Sequence, residues 1–240
     1  MLSAKNKRLV WVLLPLIALW LLGCQPLPAS APVPSPQPLL IQAGAIFEPL
    51  YPLMASCSPP GTMLVYTDQA SQAAVRLRWG GQIGAEPFSF LLSEQALVLA
   101  VHPQNPIQAL TVEHVRALLS GDMQNWKQAG GPDLAVRAWS YPPGDPARAW
   151  IDEALELTQP AAGTSNIAPG PAQMREAIAR DPASAGFLPA WWLDGTLKAA
   201  PVAADMPLQL SRPLTAETMS QPQGVVKTWL LCLQEGLKAR

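Results

Sequence analysis

Histidine, basic clusters and nucleotide-binding glycine patterns are scarce or missing in this chain of 240 residues. The two histidines stand apart, His102 beside Pro103 at the end of an apolar run and His114 inside a helical pattern. Read as surface or packed residues, they leave no base for a serine or cysteine nucleophile. Gly-x-Ser-x-Gly, Gly-x-Gly-x-x-Gly and the phosphate loop do not occur. The acidic pair Asp152 and Glu153 falls in mid-helix, where it suits a solvated face better than acid–base work. With no catalytic set, metal set or cofactor cradle, an enzyme is not expected. Lysine and arginine total 16 against 17 acids, and no basic patch offers a footing for nucleic acid. The apolar run Leu9–Leu22 is about 14 residues, short of the roughly 20 that a membrane-spanning helix needs.

That short run has a different use. Lys5, Lys7 and Arg8 precede it, and Leu21-Leu22-Gly23-Cys24 closes it. A basic stretch, an apolar stretch and a small-residue processing site make an export signal. The last four residues resemble the bacterial lipobox, in which the cysteine is acylated and becomes the mature N-terminus. Residues 1–23 are therefore expected to be a lipoprotein signal peptide. Cys24 is the expected lipidation site, and the protein is expected outside the cytoplasm, held to a bacterial membrane by lipid. An uncleaved N-terminal anchor is the alternative. Removing the three leader bases leaves 13 against 17 acids, a net charge of −4. Residues 24–38 alternate proline with small side chains, a composition that stays extended and packs no core. They read as a tether, or as an arm lying on the folded body, which is expected from Leu39.

Within that body, short apolar or alternating runs at 39–44, 62–68, 74–79, 96–101, 134–139 and 185–192 read as strands. Residues 46–56 can form a helix that Pro49 and Pro52 keep short or broken. Thr111 and Gly121 bracket a helix with Val112, Val115, Leu118 and Leu119 on one face. Asp145 and Pro146 are a strong cap and first-position pair for a second helix, to about Leu157. Further helices fit 171–180 and 224–238. Strands alternating with helices argue for an α/β fold with largely parallel sheets. Two cysteines remain in an oxidising location, Cys57 and Cys232. They are either bridged or buried as free thiols, and neither has zinc-ligand spacing.

Residues 97–131, "LVLAVHPQNPIQALTVEHVRALLSGDMQNWKQAGG", carry Asn105-Pro106, Leu110-Thr111, Leu119-Ser120-Gly121 and Trp126. This order resembles the phosphate-type periplasmic substrate-binding proteins of ABC transporters. "IARDPASAGFLP" (178–189) and "SRPLT" (211–215) are similar to later segments of that family. The resemblance implies a two-lobe periplasmic-binding-protein-like (type II) α/β fold over 39–240. Lobe one would hold about 39–100 and 190–240, and lobe two about 101–189. The hinge would lie near Val98–Val101 and Phe187–Ala190. It also implies that Cys57 and Cys232 share lobe one, where a disulfide could join them.

The departures bear on the ligand. The family's first strand ends in a Gly-Ser turn that holds an oxyanion; here Gly44-Ala45-Ile46 has no hydroxyl. The Arg expected before the family's Ser-Gly-Thr turn aligns with Trp139. The turn itself reads Pro143-Gly144-Asp145, so an aspartate stands where an anion would need free N–H groups. Asp145 is expected to be a helix cap, or else a contact to a neutral or cationic ligand. Trp79, Trp139 and Tyr141 then offer either an aromatic wall or ordinary packing, with Ser140 beside them. Trp126, Trp150 and Trp229 read as core. The implied function is a lipid-anchored solute-binding protein feeding an ABC permease, with a small ligand other than phosphate. The alternative is a binding-fold lipoprotein that senses or interacts without transport. The short stretch between residues 68 and 74, where the family fits a longer helix, favours that alternative. Replacing Cys24 with Ser should abolish metabolic lipid labelling and leave the precursor uncleaved; labelling that survives the substitution would refute the lipidation.

Overall fold

The computed structural model describes residues 35–80, 88–157, 166–202 and 210–239. The expected signal peptide, Cys24 and most of the expected tether lie outside the described residues. Strand structure is present earlier than the composition suggested. Gln37 and Pro38 already belong to β1 (Gln37–Gln42) and pair with Thr62 and Met63 of β2 (Thr62–Tyr66). A proline is tolerated there because β3 pairs with β1 only from Ile41 onward, so the missing N–H falls on the side where no described strand pairs. β1 also pairs in parallel with β3 (Val75–Trp79). Between β1 and β2 the proline-interrupted segment forms a 3-10 helix, Ala45–Leu50, running into α1 (Tyr51–Ser56). Between β2 and β3 there are only turns.

β4 (Ser89–Val101) is the long element. Its first eight residues pair antiparallel with β9 (Ser211–Glu217), and its last five pair antiparallel with β7 (Ser184–Pro189). β5 (Arg137–Ser140) lies parallel to β7 and to β6 (Asn166–Ile167), and β8 (Lys198–Ala199) pairs with the end of β4. The strand order is β2-β1-β3-β9-β4-β7-β5-β6. The α/β expectation holds, but the sheet is mixed: parallel at both flanks and antiparallel around β4 and β9. Strand direction is set by connections, which local periodicity does not report.

Two hydrophobic cores flank the change of partner on β4. The first joins Ile41, Val75 and Leu77 of the sheet to Phe47, Leu50 and Met54 and to Trp229, Leu233 and Leu237 of α5 (Gly224–Lys238). The second gathers the end of β4 with α2 (Val112–Ser120), α3 (Pro146–Ala154), α4 (Pro171–Arg180) and Trp126. It also takes Trp192, Leu197, Ala200 and Leu210, which the sequence placed in lobe one. The crossing therefore lies near Gln95–Leu97 and Leu210–Ser211, where Leu97 N donates to Leu210 O at 3.0 Å, and not at Val98–Val101 and Phe187–Ala190. Val98 and Leu99 instead pair with Leu188 and Phe187 inside lobe two, and Ala100 and Val101 with Gly186 and Ala185.

The motif residues of 97–131 hold lobe two together. Asn105 is fully buried; its Nδ2 donates to Pro182 O and its Oδ1 accepts from Ile107 N. Trp126 Nε1 donates to Ala183 O at 3.0 Å. Thr111 caps α2 through the His114 amide, and His114 Nδ1 accepts from the Thr111 amide in return.

Cys57, at the end of α1, is joined by a disulfide to Cys232 of α5, with Cα atoms 5.5 Å apart and a sequence separation of 175. The helices pass closely there, because a Cβ on Gly236 of α5 would press into the Leu53 side chain. Closing so long a loop restrains the unfolded chain by up to about 5 kcal/mol in the chain-entropy model. Replacing both cysteines with Ala should lower unfolding stability by about 2–5 kcal/mol in urea titrations. An unchanged midpoint would show that the bridge does not constrain the unfolded ensemble.

Candidate functional site

β1 and β5 are each followed by a turn that leads into a helix. In lobe one, Gly44 precedes the 3-10 helix and offers no side chain to cap it. Gly44 and Ala45 are exposed, and the Gly44 carbonyl accepts from Phe47 N at 3.0 Å. One residue on, the Ile46 carbonyl accepts two indole N–H groups, from Trp191 and Trp192, each at 2.8 Å. This turn therefore meets Trp191 and Trp192 through a carbonyl acceptor, already paired, and carries no hydroxyl.

In lobe two, the turn after β5 is organised inward. Ser140 Oγ accepts from Arg148 Nη1 at 2.7 Å, and the Tyr141 carbonyl accepts from the same nitrogen at 3.3 Å. Arg148 is itself 5% exposed and its Nε bonds Asp152, one turn further along α3. Arg148 Nη2 and the Tyr141 hydroxyl are buried without a hydrogen-bond partner. Burial, reinforced by the charge of Asp145, pushes the Tyr141 phenol far above its ordinary range, so it stays neutral. Trp139 Nε1 donates to Ser184 Oγ at 3.2 Å, and the ring packs on the second core. Gly144 is exposed with φ +88°, a left-handed turn position that favours glycine. Asp145 Oδ1 accepts from Ala147 N at 2.8 Å, capping α3. The aspartate thus takes a helix N–H that an anion would otherwise use.

The aromatic wall differs from the one expected. Tyr141 and Trp139 serve lobe two. The rings that meet at the junction are Trp79 from β3, Trp150 from α3 and Trp191 after β7. Trp79 stands edge-on to Trp150 at 5.1 Å and to Trp191 at 4.9 Å. Its Nε1 donates to Gln95 O, next to the crossing on β4. Trp191 also stacks on Phe47 at 6.2 Å. Trp126 and Trp229 are core, as expected, whereas Trp150 is only half-buried and bridges the two lobes. Helical spacing put Trp150 on an inward face; it did not say that lobe one stands opposite. Arg148 was also missed, although the Arg148–Asp152 spacing was a visible signal of a helical ion pair. The Trp191-Trp192 pair after a buried strand was another.

Comparisons with known proteins agree on the architecture. A family model described as a PBP superfamily domain matches residues 78–229. The phosphate-bound structure of a Clostridium perfringens phosphate ABC transporter substrate-binding protein is similar, with a TM-score of 0.65. The two share 16% identity over 82% of this chain and 93% of that one. The reduced regulatory domain of OxyR from Pseudomonas aeruginosa is similar with a TM-score of 0.59, at 13% identity over 85% of this chain and all of that one. A phosphate-binding protein PstS of Borreliella burgdorferi is 42% identical over 41 residues; the match spans 17% of this chain and 15% of that protein.

Asp145→Ala should remove the cap of α3 and cost about 1 kcal/mol of unfolding stability. Asp145→Ser should recover most of it, and an alanine variant as stable as the parent would contradict the cap's role.

Proposed function

This chain belongs to the PBP superfamily, and we propose that it is an extracytoplasmic solute-binding protein of an ABC-type transporter, anchored to its membrane by lipid at Cys24. We further propose that its ligand is a small, ring-bearing, largely apolar molecule and not phosphate. The observation that carries the ligand class is the junction itself, where Trp79 stands edge-on to both Trp150 and Trp191. The turns after β1 and β5 lack the family's oxyanion hydroxyls. A phosphate there would have to displace the Asp145 carboxylate from the Ala147 amide and lie close to its charge. At partial burial that repulsion costs about 1 kcal/mol or more. Gly44, Ala45, Gly144 and Asp145 would rim the cleft, with Trp79 in its wall. Trp139, Ser140 and Tyr141 would support it from behind. The permease is the partner this function requires.

A second reading has its own support. The tryptophans at the junction contact one another closely, the segment at 68–74 is only turns, and the fold also serves the regulatory domain of OxyR. A lipoprotein of this kind could sense or bind a partner without delivering solute.

The deciding experiment is a thermal-shift screen of the chain without its leader against oxyanions, sugars, amino acids and aromatic compounds. A true ligand at a hundred times its Kd adds about 2.7 kcal/mol of stability. An aromatic hit is expected, together with no calorimetric heat from phosphate. A phosphate Kd below about 10 µM, roughly −7 kcal/mol, would overturn the ligand class. Silence across the screen would favour the second reading.

A further inference from the structure

We propose that Trp150 is a tethered aromatic occupant of the lobe junction: it holds the lobes closed and decides what the cleft admits. The inference rests on reading the junction as the ligand cleft, but its test requires no natural solute.

Trp150 is the fifth residue of α3, in lobe two; besides packing on the lobe-two core, its ring reaches three residues of lobe one. Trp79 of β3 meets it edge-on at 5.1 Å. The Arg212 guanidinium of β9 sits over the ring, 5.6 Å from its centroid. Glu153, three residues further along the helix, ion-pairs with the same Arg212 at 3.7 Å. The benzo edge of the indole lies against Gly80. A Cβ at that position would collide with the ring, and φ is +77°, in the left-handed region that favours glycine. Backbone, cation and aromatic edge are thus arranged around an indole that lobe two supplies. Arg212 occupies the cation–π position a cationic ligand would seek, and Trp79 occupies the edge-to-face position an aromatic ligand would seek. On the other side of Trp79, the Trp191 ring stands at 4.9 Å, and its N–H is spent on Ile46 O. A solute can gain this surface only by displacing the Trp150 ring. The cleft therefore favours flat rings of about indole size, and closure does not depend on a solute.

The test uses the chain without its leader, free indole as the probe, and two readouts: thermal unfolding and small-angle scattering. Trp150→Ala is expected to lower Tm by about 4 °C or more and to raise the radius of gyration. Indole at millimolar concentration should restore both in Trp150→Ala and leave the parent's radius of gyration unchanged. Its affinity for the variant should exceed that for the parent at least tenfold. Trp150→Leu keeps apolar bulk on α3, so it decides the case if the alanine variant fails to fold: it should also scatter as the expanded form. A Trp150→Ala protein as compact as the parent, or one indifferent to indole, overturns the proposal, as does a compact Trp150→Leu. A failed solute screen would sink the transport reading and leave this one standing.

Discussion

Residues 89–101 stay extended for thirteen positions, and along that length the strand exchanges β9 for β7 as its hydrogen-bonding neighbour. Thirteen residues of strand span about 43 Å, enough to run through both cores. Each half of β4 is locked by its own register, so a slip of one residue would turn both sets of core side chains outward at once. The contacts between lobes inherit this placement. Trp79 reaches the junction because β3 is aligned by β9, and β9 is aligned by β4. Its indole N–H rests on Gln95, beside the point of exchange.

Local chemistry made much of the scaffold legible. Thr111 and Gly121 bounded α2, and Asp145 with Pro146 opened α3, because caps act on their nearest peptide groups and leave a short-range trace. The two prolines in 46–56 foretold the 3-10 and α pieces found there. The structure's long-range choices left weaker traces. β9 and the first half of β4 mix Ser, Glu, Gln, Arg and Pro with apolar residues, so neither reads as a buried strand; both are stabilised by pairing with each other. The crossing was misplaced for the same reason. Val98–Val101 and Phe187–Ala190 are apolar and paired, which makes them interior to a lobe, whereas the true exchange sits where β4 is more polar.

The candidate site was legible in its losses more than in its gains. Missing hydroxyls at Gly44-Ala45-Ile46 and an aspartate at 145 can be read from the letters alone, and the capping bond at Asp145 gives the second loss a physical form. Which tryptophans would meet could not be read, because Trp79, Trp150 and Trp191 lie on three elements far apart in sequence. Arg148 shows the same limit: its pairing with Asp152 is local, but its reach back to Ser140 depends on how α3 folds onto β5. Ring-rich junctions of this kind also separate fold from activity, since one architecture can carry quite different ligands.

The disulfide between α1 and α5 has a mechanical consequence. Both ends of the described body, β1 and α5, enter the same lobe, and Cys57–Cys232 staples the helices that follow them or contain them. Lobe two is an excursion of the chain that leaves through β4 and returns through β9. Tension applied at either end is carried across lobe one by the covalent staple and the β1–β2 and β1–β3 ladders, and it bypasses lobe two. A body suspended by its first strand can thus be pulled without the far half feeling the load. The near half then acts as a mount, and lobe two hangs from it by β4 and β9.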